Sequence, residues 1–338
     1  MNKAKLHHRP GALPFQAKRT HGTIAALLLT AFCVRAASPT LQVPQSELHE
    51  IPVLVAYGDT RFTNTSEHGA SNPKVRKWIV DQIAEEKPDA VLMSGDLPWH
   101  GTVANDYAVF ETETQSWRDE NLRILPALGN HELYNREYLN GEKGGLENWW
   151  KAFPELRGKR WYSAEVGDTI YVICLDSNSS LQPGSEQMNW VEEQLRSLPA
   201  SVKFVFFNMH HPPMADYQRF GDPMHNPRHN EKHLIDLLNS NEFQAKAAYV
   251  VIAGHIHNYE RFESNGIVYI VSGGGGAAPR NIHRGSDDLY RSSAFPNYHY
   301  VRFALKGNTL EGTMNRVVDP EADHPKWEQA DHFGVKAK

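Results

Sequence analysis

The sequence predicts an α/β fold, which could equally be described as α+β, in one large domain. Short apolar runs typical of buried strands alternate with segments of helical periodicity. No repeat or internal linker divides the chain. The 338 residues are 40% hydrophobic and 22% charged, as in ordinary globular proteins. This composition excludes a disordered, collagen-like or disulfide-dense chain.

The predicted elements follow one another in regular order. Asn72 and Pro73 suit an N-cap and the first position of a helix. The apolar face of that helix follows at Val75, Ile79 and Ile83. A second helix is predicted at residues 185–198. Strands are predicted at residues 51–57, 90–94, 123–128, 161–166, 169–175, 203–208, 248–253, 267–272 and 298–305.

The N-terminal segment has the features of an export signal. Residues 1–36 contain six basic residues and no acidic one, and residues 24–34 form an apolar run too short for an ordinary membrane span. Small residues allow cleavage after Ala36, or one residue later after Ala37. The alternatives are an uncleaved anchor or a disordered tail. We therefore expect an exported protein, periplasmic or secreted, with no membrane span after signal removal.

The predicted organisation is a signal peptide at residues 1–36, a linker at 37–50, a domain at 51–316 and a polar, partly extended tail at 317–338. Without residues 1–36 the chain carries 29 basic residues against 40 acidic ones. General nucleic-acid binding, which needs a basic footprint, is not expected. Cleavage would also remove Cys33 and leave Cys174, which we expect to be a buried structural thiol.

Five of the predicted strands end in residue types that bind metals. In α/β sheets, sites gather outside the carboxyl ends of strands, so we expect these residues to converge. Five such endings are hard to explain as ordinary turns. The segments are Gly58-Asp59-Thr60-Arg61, Gly95-Asp96, Gly129-Asn130-His131-Glu132, Asn208-Met209-His210-His211-Pro212 and Gly254-His255-Ile256-His257.

This mixture of carboxylates, an amide and imidazoles suits Zn²⁺, Mn²⁺ or Fe better than Ca²⁺. A carboxylate such as Asp96 can bridge two cations. Two ions roughly 3.5–4 Å apart can clamp a phosphate and deprotonate a water. The sequence has neither the glycine-rich loop of nucleotide-binding proteins nor the Gly-x-Ser-x-Gly elbow of serine hydrolases.

The ordered set of motifs resembles the calcineurin-like metallophosphoesterases, and more closely their purple-acid-phosphatase-like branch. The resemblance extends from about residue 53 to about residue 276, including the Gly-His-Ile-His-Asn-Tyr-Glu-Arg segment that begins at Gly254 and the glycines of residues 273–276. It implies a four-layer αββα sandwich of two mixed β-sheets flanked by helices, with a dinuclear site at the loop ends. The expected cofactors are two divalent or trivalent transition-metal ions, namely Fe, Mn or Zn.

The resemblance also implies roles for individual residues. His131 would stand beside the scissile phosphate, where it would stabilise charge or protonate the leaving oxygen. Glu132 could orient His131. The His-x-Pro pattern of the family selects His210 over His211 as a ligand. The first metal would be held by Asp59, Asp96 and His257, and the second by Asp96, Asn130, His210 and His255.

Two positions depart from the family pattern. Arg61 replaces the histidine of Asp-x-His, and Trp99 stands where purple acid phosphatases have a tyrosine. The first metal would keep three protein ligands, and the purple colour should be absent. Arg61 could clamp a phosphate oxygen, or it could form a salt bridge to a carboxylate behind the ligands.

Substrate contacts are expected from Arg61, His211 and His229. The last two, like His225, belong to a loop that often contributes substrate-contacting histidines in the resembling family, although each alone would suit a surface position. The expected function is hydrolysis of a small phosphate ester by attack of metal-bound hydroxide, as an acid phosphatase or phosphodiesterase. The alternative is a non-catalytic module that binds phosphoryl ligands or a partner. The oligomeric state is left open.

Overall fold

The computed structural model describes residues 39–67, 69–137, 139–218 and 225–338. The predicted signal peptide at residues 1–36 lies outside these residues. Within the described ranges, no helix is long and apolar enough to cross a membrane.

Seven strands form the first mixed sheet. Its four middle strands run parallel to one another, and an antiparallel strand flanks them on each side. One further strand pairs in parallel at one edge. In spatial order the strands are β1 (Leu41–Val43), β5 (Tyr162–Val166), β6 (Ile170–Cys174), β7 (Phe204–Asn208), β9 (Ala248–Ala253), β11 (Ile267–Ser272) and β10 (Tyr259–Ser264).

Six strands form the second mixed sheet, in which three parallel strands continue into three antiparallel ones. In spatial order they are β4 (Arg123–Pro126), β3 (Ala90–Met93), β2 (Val53–Tyr57), β13 (His299–Lys306), β14 (Thr309–Val317) and β15 (Trp327–Lys336). The short strands β8 (Tyr217–Gln218) and β12 (Ile282–His283) pair separately.

The predicted first helix is confirmed, because Asn72 Oδ1 accepts a hydrogen bond from the Val75 N–H at 3.2 Å and Pro73 occupies the first turn. The helices are α1 (Pro73–Glu86), α2 (Ala104–Glu113), α3 (Gln115–Asp119), α4 (Glu142–Ala152), α5 (Glu186–Arg196) and α6 (His229–Leu238). Short 3₁₀ turns occur at Gln45–Glu47, His131–Leu133 and Pro154–Leu156.

The apolar core consists of two layers, one on each face of the first sheet. Inward residues of that sheet pack against the second sheet, and the Phe206 and Phe303 rings lie 5.1 Å apart between them. Its outward residues, among them Ile173, pack against α5 and α6. The apolar side of α1 packs against the second sheet. The predicted sandwich of two mixed sheets with flanking helices is confirmed.

Two of the predicted segments contribute strands to the sheets. The segment predicted as a linker contains β1, which pairs with β5 and buries Val43. The segment predicted as a tail contains β15, which pairs with β14 along its length. Phe333 and Val335 alternate with polar residues there and are buried. The one-sided burial of this edge strand leaves few apolar residues to mark it in the sequence.

Cys174 is buried in β6, and burial raises the pKa of its thiol to about 12. The thiol therefore stays protonated and packs as a small apolar group, as expected for a structural cysteine.

Candidate metal centre

The loops after β2, β3, β4, β7 and β9 meet where the carboxyl ends of the two sheets lie side by side. Asn208, the last residue of β7, links the sheets because its Nδ2 donates to the carbonyls of Met93 at 3.1 Å and Leu125 at 2.9 Å. The convergence expected from the sequence is therefore real. Of the six predicted ligands, Asn130 is half-buried and the other five are buried.

Three predicted ligands adopt a backbone conformation that side chains rarely favour. The φ angles are 60° at Asp59, 56° at Asp96 and 70° at His255. Such strain concentrates at functional sites, where the surrounding structure must hold it. Glycine at position 254 allows close approach, since a Cβ there would lie 2.5 Å from Asp59 Oδ2.

Four of the predicted ligands surround one point beside His210. The His210 Nδ1–H donates to the Ser94 carbonyl at 2.9 Å, so Nε2 of the neutral ring carries a lone pair. That nitrogen lies 2.9 Å from Asn130 Oδ1 and 3.2 Å from Asp96 Oδ1. His255 Nδ1 lies 3.1 Å from it. A nitrogen lone pair beside two acceptor oxygens is a donor set that fits a metal cation.

A second pair of acceptors faces each other at Asp59. His257 Nδ1–H donates to the Ala278 carbonyl at 2.7 Å, which leaves Nε2 3.4 Å from Asp59 Oδ1. Both atoms are buried and have no hydrogen-bond partner within the part of the chain that the structure describes. Burial holds the pKa of His257 well below its usual range, so a proton on Nε2 is disfavoured. This donor set also fits a cation.

The two groups of donors adjoin. Asp59, Asp96 and His210 each offer a ligand atom within 4.8 Å of the others. Burial, with the like charge of Asp96, raises the pKa of Asp59 to about 7 and that of Glu132 to about 8. The ionised forms of these two carboxyl groups are thus disfavoured in their buried surroundings, and bound cations would offset that cost.

His131 lies against Asp96 without belonging to either donor group. Its Nδ1–H donates to the Trp99 carbonyl at 2.6 Å, and its backbone N–H donates to Asp96 Oδ1 at 3.0 Å. Nε2 is therefore the ring atom on the Asp96 side, 3.7 Å from Oδ2. Burial lowers the pKa of the imidazole to about 3. An anion bound beside it would raise this pKa again.

The Glu132 side chain holds main-chain groups of two loops, and the orienting role expected for it stays a prediction. Its buried carboxylate accepts backbone hydrogen bonds from Asp96 at 3.0 Å, Leu97 at 2.7 Å and Gly129 at 2.6 Å. It therefore ties the loop after β3 to the loop after β4. A Glu beside a histidine in sequence gave no signal for this role, because its partners are main-chain groups.

Arg61 is nearly buried, with Nη2 3.5 Å from Asp96 Oδ2. Its Nε is buried without a hydrogen-bond partner among the described residues. The sequence left two roles open for Arg61, a phosphate contact or a salt bridge to a carboxylate behind the ligands. The structure contains a salt bridge, but its partner is Asp96, which is itself a predicted ligand. The unused donor leaves the guanidinium able to bind an anion as well.

The histidines that follow His210 in the chain differ in their distance from the site. His211 is buried, hydrogen-bonds through Nδ1 with Ser177 Oγ at 2.8 Å, and places its ring 4.3 Å from that of His255. His225 stacks on His255, with centroids 4.6 Å apart. His229 instead begins α6 with an exposed side chain. The structure thus brings His211 and His225 to the cluster, but not His229.

The comparisons with known proteins agree with this geometry. The family model for calcineurin-like phosphoesterase matches residues 52–259. An Arabidopsis thaliana protein named probable purple acid phosphatase 20 is 28% identical over 75% of this chain and 57% of its own length. Another, probable inactive purple acid phosphatase 1, is 23% identical over 76% and 45%. The chain thus spans about half the length of these curated relatives.

Solved structures share the fold. Purple acid phosphatase PPD1 from yellow lupin (Lupinus luteus) superposes with a TM-score of 0.66 at 17% identity, over 89% of this chain and 55% of that one. A dimetal phosphatase from Danio rerio gives 0.57 at 12% identity, over 89% and 100%. The family model covers more than half of the chain and the motifs converge in space, so the chain belongs to the calcineurin-like phosphoesterase family.

Proposed function

We propose that this chain hydrolyses small phosphate esters at a centre of two transition-metal ions. The observation that carries the proposal is the arrangement of acceptors, in which His210 Nε2 faces Asn130 Oδ1 and Asp96 Oδ1, and His257 Nε2 faces Asp59 Oδ1. The family membership supports it, because phosphoesterases of this kind cleave phosphate esters.

The proposed centre assigns each donor to one ion or both. Asp59, Asp96 and His257 would hold the first, and Asp96, Asn130, His210 and His255 would hold the second. When bound, the ions would polarise the phosphate and supply a nucleophile from water at neutral pH. Asp96 is proposed as the shared ligand because it offers a ligand atom within 4.8 Å of one from Asp59 in the first group and one from His210 in the second.

The side chains that are not ligands would act on the substrate. Arg61 would contact a phosphate oxygen with the donors that its ion pair leaves unused. His131 would present Nε2 to the leaving oxygen, and His211 would border the second ion. Negative charge on the bound phosphate would favour the protonated imidazole that this role requires.

Metal content is the first test. The purified protein should contain two transition-metal ions per chain and hydrolyse an aryl phosphate, and chelation should abolish the activity until Mn²⁺, Zn²⁺ or Fe is returned. Elemental analysis and the assay on the same samples measure both. Absence of bound metal together with no activation by any of these ions would contradict the centre. A stoichiometry near one would instead indicate loss from the three-ligand first site.

A second function is non-catalytic binding of a phosphoryl ligand or partner. The observation that favours it is the altered first site, with Arg61 and Trp99 in place of family donors, and a curated relative is itself named inactive. The presence of all six other ligand-type residues and His131 argues against it. Tight phosphate binding by metal-loaded protein without turnover of any aryl phosphate would favour this alternative.

We also propose export, supported by the order of basic, apolar and small residues in positions 1–36. The native protein should begin at Ala37 or Ser38 and be found in the periplasm or the medium. N-terminal sequencing of protein purified from its natural source measures this directly. A cytosolic protein that keeps Met1 would contradict it.

A further inference from the structure

Trp99 lies between the two side chains proposed to act on substrate. Its half-buried indole has the Arg61 guanidinium carbon 4.8 Å from the ring centroid. The His131 ring stacks on it with centroids 4.9 Å apart and an interplanar angle of 23°. The backbone of the same residue is anchored, because its N–H donates to the Phe62 carbonyl at 3.0 Å. One residue thus contacts both groups.

Arg61 and His131 end beside the same atom. Arg61 Nη2 lies 3.5 Å from Asp96 Oδ2, and His131 Nε2 lies 3.7 Å from it. Both distances are long for a hydrogen bond, so neither side chain is fixed by Asp96 alone. The indole adds a constraint that both side chains share, since ring stacking and cation–π contact favour defined geometries.

The carbonyl of Trp99 adds a second constraint on the imidazole. It accepts the His131 Nδ1–H at 2.6 Å, which fixes the tautomer and directs Nε2 towards Asp96. The side chain of Trp99 then fixes the plane of the ring. Catalytic groups need such support because an error of about 1 Å in placement can cost about a hundredfold in rate.

We propose that Trp99 is a positioning residue, which holds Arg61 against a phosphate oxygen and His131 against the leaving oxygen as one stacked unit. The proposal rests on the proposed function for the roles of those two groups. It assigns Trp99 a task other than metal ligation, because indole has only an N–H donor and offers no ligand atom.

The test compares Trp99→Met with Trp99→Phe in zinc-loaded protein. Methionine fills space without an aromatic face, whereas phenylalanine keeps one. Trp99→Met should lower kcat/KM by roughly 10–100-fold, the usual cost of losing support for a site, with metal content unchanged. The loss in kcat should be larger for alkyl than for nitrophenyl phosphates, and inorganic phosphate should bind about tenfold more weakly. Trp99→Phe should recover most of each loss.

Trp78 provides a matched control. It lies on α1, half-buried, with Lys74 Nζ 5.0 Å from its ring centroid, and so repeats a tryptophan–cation contact away from the loops of the centre. Trp78→Met should leave kcat, KM and phosphate affinity unchanged. Equal losses in both variants would show a general effect of removing tryptophan and would overturn the proposal, as would unchanged kinetics in Trp99→Met.

A spectroscopic measurement separates this proposal from the proposed function. In the unmodified zinc-loaded protein, the ring protons of His131 should be shifted by the indole ring current, and Trp99→Phe should reduce the shift. His131 resonances at ordinary positions would overturn the stacked unit, whether or not Trp99→Met folds. The unmodified protein could also show shifted His131 resonances but no phosphatase activity. That result would overturn the proposed function and the catalytic task of Trp99, while the stacking of His131 on Trp99 would stand.

Discussion

His131→Ala should lower kcat by roughly 10²–10⁴, the usual size of a general acid–base contribution, while metal content stays near that of the unmodified protein. The side chain belongs to neither donor group, and its Nε2 lies 3.7 Å from Asp96 Oδ2. The loss should be smaller for nitrophenyl phosphate than for alkyl phosphates, because a good leaving group needs little protonation. Steady-state kinetics on both substrate types, with elemental analysis of the same samples, measure the effect.

Asn130→Ala is the matched comparison, since it changes the adjacent residue of the same loop. Asn130 Oδ1 lies 2.9 Å from His210 Nε2 and is a proposed ligand. Its loss should lower metal occupancy, and added metal should partly restore the rate. Damage to the loop as such would affect both variants alike. If His131→Ala loses metal as Asn130→Ala does, or keeps full activity on alkyl phosphates, the role proposed for His131 is wrong.

Asp96→Asn should remove at least one of the two ions and lower activity by about 10³-fold or more, because the charge stabilisation supplied by metal ions amounts to several kcal/mol. The substitution tests charge more than shape. Asparagine tolerates the left-handed conformation, so the backbone at φ 56° should be kept. Elemental analysis, aryl-phosphate kinetics and circular dichroism on one preparation distinguish loss of metal from loss of fold.

Asp89→Asn makes the same chemical change at the other end of β3. Asp89 is buried and accepts backbone hydrogen bonds from Val53 at 2.7 Å and His49 at 2.9 Å. It should cost about 1.5–3 kcal/mol of stability, the range for hydrogen bonds to charged groups, yet leave metal content and kcat unchanged. An Asp96→Asn protein that retains two ions and near-normal activity would refute the shared-ligand assignment.

The sequence alone predicted the elements that carry strong local signals. The Asn72-Pro73 start of α1 and the apolar runs of the central strands follow from side-chain periodicity and from capping chemistry, which act over a few residues. The polar residues after five strands predicted where the site lies, because parallel strands must end on the same side of a sheet. Residue type therefore predicted the candidate donors before their geometry was known.

The edges of the fold were not predictable in the same way. The predicted linker and tail contain the strands β1 and β15, whose few buried residues, such as Val43 and Phe333, are covered by neighbouring strands. Strand pairing is non-local, so a short or one-sided edge strand leaves little trace in its own sequence. The segment after β7 gives a similar case. Sequence position could not distinguish His225, whose ring stacks on that of His255, from His229, which is exposed.

What the sequence determined was the set of candidate donors and their order along the chain. Tertiary structure decided which atom of each donor faces the site. The carbonyls of Ser94, Ala278 and Trp99 each take the Nδ1–H of a histidine and leave its Nε2 directed inward. Glu132 ties two loops through main-chain N–H groups. Nearly every residue carries a main-chain donor and an acceptor, so residue type does not predict which of them are hydrogen-bonded to a given side chain. Those partners are set only by the folded structure.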